Sequence, residues 1–349
     1  MSSGAPISAD DKRVFAALAE AMPGPVIVVD SAMRAIAGNA AARALLPAWR
    51  IGDPLAIALR APEVLDAVRR VCAGGTSETV RWVERVPIEQ TFDVSIAPIM
   101  LDKPIGVAIS VIDLTDAMRA ERMRTDFVAN ASHELRTPLA SLLGFVETLQ
   151  GPARNDAAAR EQFLGIMREQ AQRMSRLIDD LLSLSRIEQK QHVRPQGAVD
   201  LVGVVRHVVD TLTPLARETD ADIAFDAPPE AVAPGDRDEL IRLVENLVEN
   251  AIKYGSRGEE APRVEVSLKR EADFWVLSVR DNGPGVAAEH IPRLTERFFR
   301  TDAGASRAKG GTGLGLAIVK HILARHRGRL LIESKLGEGA CFRAFLPAA

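Results

Sequence analysis

Two apolar stripes in the middle of the chain constrain its fold more than any other feature. Val128, Ala131, Leu135, Leu139, Leu142, Val146 and Leu149 follow one another at intervals of three or four residues, the heptad-like spacing of an amphipathic helix. Gly151 and Pro152 end this helix, and Asn155 or Asp156 offers an N-cap for the next. Phe163, Met167, Ala171, Met174, Ile178, Leu181 and Leu184 form a second stripe, widened by Leu177, Leu182 and Ile187. The pattern predicts helices from Asp116 to Gly151 and onward to about Gln191. A lone hairpin cannot bury two faces this broad, whereas two hairpins paired as a four-helix bundle can. A homodimer is therefore predicted.

His133 lies two residues from Ala131 and two from Leu135, about 200° around the helix from each. It is predicted to face solvent, where a histidine on a core helix is useful only if something must reach it. Glu134 follows at once, then Arg136, Thr137 and Pro138. Pro138 removes a backbone donor and is expected to kink the helix beneath the histidine.

The residues before Asp116 have a different texture. Lys12–Ala21 reads as a short helix and Val26–Asp30 as a buried strand; Asn39–Leu46 reads as a second helix. Thr79–Arg85, Thr91–Met100 and Ile105–Leu114 read as strands, the middle one alternating Phe92, Val94, Ile96 and Pro98 with polar or small residues. All six histidines lie at or beyond position 133, which disfavours a haem held by a histidine in this region. Cys72, in VCAGG, reads as a small buried hydrophobe.

Beyond Ala198 strands and helices mix: a strand or turn passing into a helix over Ala198–Ala216, a short strand Ala221–Phe225, a loop marked by Pro228, Pro229 and Pro234, a long helix Asp236–Lys253, strands Arg263–Lys269 and Phe274–Asp281, a helix Leu314–His326, and closing strands Leu330–Ser334 and Ala340–Leu346. The mixture predicts a layered α/β sandwich. Four motifs fall at its loops and element ends. Asn246 and Asn250 share a helix face, and their amide oxygens suit Mg²⁺. Asp281-Asn282-Gly283-Pro284-Gly285 places a carboxylate at a strand end, able to accept an adenine amino group. In Glu296–Asp302 the phenylalanines suit a lid anchor, and Arg297 and Arg300 suit a bidentate grip on phosphate. Gly311-Thr312-Gly313-Leu314-Gly315 runs into a helix N-terminus, an anion site; it lacks the GK[ST] of a Walker loop. Each motif alone is weak.

Together they carry a resemblance. Phe127–Leu139 (FVANASHELRTPL) resembles the H-box of the dimerisation and phosphotransfer domain of sensor histidine kinases, and the four later motifs resemble the N, G1, F and G2 boxes of the GHKL ATP-binding fold. VIVVD, Asn39-Ala-Ala and the exit Asp113-Leu-Thr115 resemble a PAS sensory domain. The resemblance implies a multidomain α+β chain: a PAS-like sensor at 1–115, an antiparallel helical hairpin forming a dimeric four-helix bundle at 116–191, and a GHKL-type α/β sandwich at 198–349. It implies a protein-histidine kinase that uses ATP and Mg²⁺. His133 is then the phosphorylated nucleophile, Glu134 the general base, and Thr137 the residue that positions water in a reverse, phosphatase reaction. Asn250 becomes the chief Mg²⁺ ligand, with Asn246 assisting. Lys253 and Arg300 face phosphates, Tyr254 lines the pocket, and Asp281 with Gly283 and Gly285 receives adenine. Gly311, Thr312, Gly313, Leu314 and Gly315 border the triphosphate under a lid at Ala303–Lys309. Gly337-Glu-Gly339 is expected to shape a turn. Asn246 stands where ATP hydrolases of this fold carry a water-activating glutamate, and Glu245 and Glu249 are rotated by about 100° from the two asparagines; slow hydrolysis is expected.

The resemblance also implies a separate response regulator as partner, because no receiver pattern remains in the chain. DFVANASHELRTPLASLLGFVETLQ most resembles the phosphate-regulon sensor kinases. Those carry membrane helices, whereas no window here reaches about 18 apolar residues. The chain reads as cytoplasmic, or as the soluble part of an inner-membrane sensor whose anchor is missing from this stretch. A net charge of −3, from 44 basic and 47 acidic residues, gives no reason to expect nucleic acid. Two distant cysteines exclude a disulfide framework. The rival readings are a GHKL-type ATPase, which has no use for His133, and a non-enzymatic dimeric scaffold, which needs no intact motifs.

Overall fold

Val26–Asp30 (β1) is the first element to which the rest of the N-terminal region is fitted, with Val26 to Val29 all buried. A computed structural model describes residues 8–84, 89–100, 104–256, 261–301 and 311–348. Arg85, Asp302 and the expected lid at Ala303–Lys309 lie outside the described residues. The chain divides into two compact units, Met1–Val128 and Ala129–Ala349.

In the first unit, helix α1 (Ala9–Glu20) starts on a capping box made by Ser8 and Asp11. β1 pairs antiparallel with β2 (Ala35–Gly38) and with β5 (Pro104–Asp113); β5 pairs with β4 (Gln90–Met100), and β4 with β3 (Glu78–Glu84). The sheet order is β2-β1-β5-β4-β3. Phe92, Val94 and Ile96 point to one face and are fully buried, as the alternation predicts. They meet Val64, Ala67, Val68 and Val71 of α4 (Pro62–Cys72), together with residues flanking the short α3 (Leu55–Ala58). β2, α3 and α4 are absent from the sequence reading. β2 is only four small or apolar residues, but α4 carries Pro62 in its first turn and apolar residues at helical spacing, a signal that was available. Asn39, buried, caps α2 (Ala40–Leu45): its Oδ1 accepts from the Val26 and Ala42 amides while Nδ2 donates to the carbonyls of Gly24 and Ala19. Asp113 and Thr115 make the exit. Thr115 Oγ1 accepts from the Thr91 amide (3.0 Å) and Asp113 Oδ1 from the Thr115 amide (2.8 Å); hydrogen bonding from the Thr115 side chain and amide holds the Asp113 carboxyl below its ordinary range.

Helix α5 (Thr115–Gln150) continues without a break through Pro138. Asp156 caps α6 (Ala157–Gln189) by accepting from the Ala159 amide. Phe145 and Phe163 meet across the hairpin with ring centroids 5.1 Å apart. Parts of both stripes remain uncovered in the single chain: Val128, Leu139, Ile178 and Leu182 are exposed, as are Leu143 and Leu164 beside them.

The C-terminal part of the second unit is a five-stranded sheet backed by helices. Its order is β11-β12-β10-β9-β7, where β7 is Asp222–Asp226, β9 Arg263–Glu271, β10 Phe274–Asp281, β11 Arg329–Ser334 and β12 Ala340–Pro347. Only the β7–β9 pair is parallel. Helices α7 (Leu201–Glu218), α8 (Arg237–Tyr254) and α9 (Gly315–Arg325) supply the apolar layer, with Val208, Leu243, Leu247 and Ile322 fully buried. The segment read as a proline-marked loop contains a strand, β8 (Val232–Gly235), paired with β6 (Gly197–Asp200). A two-stranded sheet tolerates Pro234, since an edge strand can lack a donor.

Arg325 fastens the segment after α6 to this module. Its guanidinium is almost fully buried; Nε donates to the carbonyls of Lys190 (3.2 Å) and Val193 (3.0 Å), while the far end pairs with Glu239 and Asp236.

Candidate functional site

The four nucleotide-type motifs converge on one cavity of about 590 Å³. Helix α8 contributes Asn246, Asn250, Lys253 and Tyr254. The end of β10 contributes Asp281, with Gly285 beyond it; Phe299, Arg300, Gly311, Thr312, Gly313 and Gly315 close the opposite side. The turns that bring these loops together require glycine. Gly285 and Gly313 have positive φ (69° and 73°), and a Cβ on Gly285 would lie 2.1 Å from the Lys335 carbonyl oxygen. Gly337 and Gly339, also at positive φ, brace the Asp281–Gly285 turn: the Gly337 amide donates to the Pro284 carbonyl, and Gly339 packs on the Asp281 backbone.

Asp281 is buried. Its Oδ1 accepts from the amides of Gly283 (2.9 Å) and Ala340 (3.2 Å), yet burial pushes its carboxyl above the ordinary value. The Asn246 side-chain nitrogen donates to the Arg242 carbonyl (2.7 Å), which aims the amide oxygen toward the start of α9; a Cβ on Gly315 would come within 2.4 Å of it. Lys253 pairs with Glu249 at 2.6 Å.

Three expected site residues sit elsewhere. Arg297 does not line the cavity; its guanidinium is bound by Glu188 of α6. Leu314 is fully buried and packs beneath the loop, and Gly283 contributes its amide to Asp281 rather than a surface to the cavity. Conversely, Glu245 and Glu249, expected to be rotated away, both reach the wall. The cavity embraces a wide arc of α8, so a 100° offset does not remove a side chain from it. Burial raises the Glu245 carboxyl above its ordinary value.

The hairpin forms part of the same cavity. Arg176, Asp179 and Asp180 of α6 line it, together with Arg242 of α8. Asp180 bridges the two parts, accepting from Arg242 (2.7 Å) and from the Thr312 hydroxyl (2.7 Å); burial raises its carboxyl nonetheless. These residues escaped the sequence reading. Arg242 precedes Asn246 and Asn250 at four-residue intervals on α8, a periodicity that marks one face. Nothing in α6 distinguished its charged residues from a solvated surface.

His133 is exposed, as predicted. Glu134 beside it is not: one carboxylate oxygen, Oε2, accepts from Arg173 of α6 (3.1 Å) and from Arg300 of the cavity wall (3.2 Å). The Thr137 hydroxyl donates to the His133 carbonyl at 3.2 Å.

The cavity fits a nucleoside triphosphate. Arg242 and Arg300 line it, and their Nε atoms are buried with no partner among the described residues, so its wall carries positive charge suited to an anion. The two asparagines offer neutral oxygens on one face of α8, a donor set suited to Mg²⁺.

Residues 123–190 match the model of the His Kinase A (phospho-acceptor) domain, and residues 235–349 match that of the histidine kinase-, DNA gyrase B- and HSP90-like ATPases. The chain belongs to the sensor histidine kinases. The phosphate regulon sensor protein PhoR of Pseudomonas aeruginosa is 40% identical to this histidine kinase over 239 residues, 68% of this chain and 53% of that protein. SenX3 of Mycobacterium tuberculosis is 37% identical over 240 residues, 69% of this chain and 58% of that protein. WalK of Staphylococcus saprophyticus is 36% identical over 238 residues, 67% and 38% respectively. The kinase thus spans about half the length of the curated relatives it matches. Its fold is shared with the histidine kinase ThkA, crystallised in complex with the response regulator TrrA, at a TM-score of 0.53 and 19% identity over 95% of this chain and 98% of that one. Among the described residues no helix is long and apolar enough to cross a membrane.

Proposed function

We propose that this kinase phosphorylates its own His133 from ATP and passes the phosphoryl group to an aspartate of a separate response regulator, working as a homodimer of paired hairpins. The observation that carries the reading is the hydrogen bond from Arg300, in the nucleotide cavity, to Glu134, the residue next to the exposed His133. Acceptor and donor machinery are within side-chain reach of each other in one chain. The uncovered stripes on α5 and α6 support the dimer, and the buried five-stranded first unit supports a PAS-like sensor.

In this reading a ring nitrogen of His133 attacks the γ-phosphorus in line. A P–N bond forms, the P–O bond to the β-phosphate breaks, and ADP leaves with the electron pair. Glu134 takes the ring proton, and its hydrogen bonds to Arg173 and Arg300 keep its carboxylate oriented. Asp281 accepts the adenine amino group. Arg300 and Lys253 face the phosphates, and Asn250, assisted by Asn246, would hold Mg²⁺, which would neutralise charge on the phosphoryl oxygens. Thr137 positions water for the reverse reaction on the phosphorylated regulator. The chain acts in the cytoplasm, alone or behind a membrane anchor.

The test is labelling with γ-labelled ATP and Mg²⁺. Acid-labile, alkali-stable phosphate is expected on the wild-type chain and none on His133→Gln; a labelled His133→Gln protein overturns the proposal. Asn250→Ala should lose labelling while remaining dimeric, and its labelling would remove the metal assignment.

A further inference from the structure

Four cationic side chains line the nucleotide cavity among the described residues: Arg176, Arg242, Lys253 and Arg300. Three are already matched to carboxylates, Arg242 to Asp180, Lys253 to Glu249 and Arg300 to Glu134. The Arg176 side chain has neither a hydrogen bond nor an ion pair among the described residues. The same cavity is lined by five carboxylates, Asp179, Asp180, Glu245, Glu249 and Asp281. Of the four cations, Arg176 alone brings a charge that no carboxylate among the described residues already offsets.

The position of Arg176 along α6 is informative. Three residues before it, Arg173 holds Glu134, next to the acceptor histidine. Four residues after it, Asp180 holds Thr312 in the glycine-rich loop. Spacings of three and four keep all three on one helix face, and at about 1.5 Å per residue Arg176 stands roughly 5 Å from one contact level and 6 Å from the other. It is therefore on the line between the nucleophile's neighbour and the loop that borders the triphosphate.

We infer that Arg176 is a catalytic arginine supplied by the phospho-acceptor hairpin itself, its guanidinium binding the transferring phosphoryl group as that group crosses to His133. This rests on the kinase reading above. Charge spreading over the phosphoryl oxygens in a loose transition state is what a planar guanidinium stabilises. Because the residue belongs to the hairpin and not to the nucleotide module, it completes the site only when the two are docked. Its removal should lower the rate of transfer and leave nucleotide binding nearly intact.

The experiment compares wild type, Arg176→Ala and Arg176→Lys as full chains. Autophosphorylation is followed with γ-labelled ATP across a range of concentrations, and nucleotide affinity is measured separately with a fluorescent trinitrophenyl-ATP probe. Arg176→Ala should lose about 10²-fold in maximal rate, the order seen on removing one transition-state donor, while probe affinity stays within roughly threefold. Arg176→Lys should recover part of the rate, since it restores charge without the fork. A maximal rate for Arg176→Ala close to wild type overturns the inference and leaves the kinase reading standing. A loss of probe affinity in step with rate also overturns it, by making the contact one of ground-state binding. Failure of the wild-type chain to label is a different outcome, and defeats the kinase reading itself.

Discussion

Glu134 Oε2 carries two guanidinium groups, one from each side of the site. A carboxylate held from both sides is aimed before substrate arrives, and arginine suits the task because its donors are fixed in a plane. A second residue-level feature is His326, buried beside Asp236, Glu239 and Arg325. Nδ1 meets the Ile322 carbonyl (2.8 Å), Nε2 accepts from the Asp236 amide (3.1 Å), and burial lowers the ring's proton affinity despite the neighbouring carboxylates. The sign follows from linkage. The unfolded chain takes up a proton near pH 6.5, the folded one only at lower pH, so the stability contributed by the neutral ring is full above about 6.5 and is lost as pH falls toward the folded value. His321, half-buried beside Glu188, shifts in the same direction. The melting midpoint of the nucleotide module should therefore fall between pH 7.5 and 5.5, by ~2–4 °C per kcal/mol, and His326→Gln should flatten that slope. Melting curves with the same slope in both proteins would contradict the assignment.

At the scale of elements, α5 is unusual at its functional turn. Pro138 deprives the Glu134 carbonyl of its helical donor, while the Thr137 hydroxyl adds a donor to the His133 carbonyl. The helix nonetheless runs on, so the expected kink is not a break; the turn bearing His133 is held together partly by a side chain, a pattern that tends to bend helices. Thr137→Ala leaves the stripe intact and should impair dephosphorylation of a phosphorylated regulator about tenfold or more, while autophosphorylation changes by less than about threefold. Equal losses in the two assays would take that role from Thr137. The elements themselves were largely readable. Long periodic helices and β-branched strands announce themselves, and β10 runs from Phe274 to Asp281 as expected. What escaped was short or proline-bearing, such as β2 and β8, or depended on the tertiary partner. Arg297 reads as a phosphate ligand until Glu188, 109 residues away, is seen to hold it.

For the whole molecule the uncovered stripes matter most. Leu139 and Leu182 are about half exposed in the single chain, and a second hairpin is what their spacing fits. Leu182→Glu places a charge in that interface on each copy, a cost of several kcal/mol if it stays buried. Sedimentation velocity should show the wild type as a dimer and Leu182→Glu as a monomer at micromolar concentration; a dimeric variant would mean that this face is not the one that pairs. The nucleotide cavity needs no such partner, since its motifs lie within one fold and their order along the sequence already located it. The contribution of α6 was hidden, because which charged residues of a helix face inward depends on the module packed against it.

The grip of Arg325 on the carbonyls of Lys190 and Val193 bears on how far the nucleotide module can travel. With both bonds intact the slack is only the stretch from Val193 to Gly197, roughly 13–14 Å at full extension. Releasing them lets out three more residues, about 10 Å of tether. If, as proposed, a regulator takes the module's place at the histidine, that exchange is a matter of chain length as well as affinity, and the catch on that length is one arginine at the end of α9.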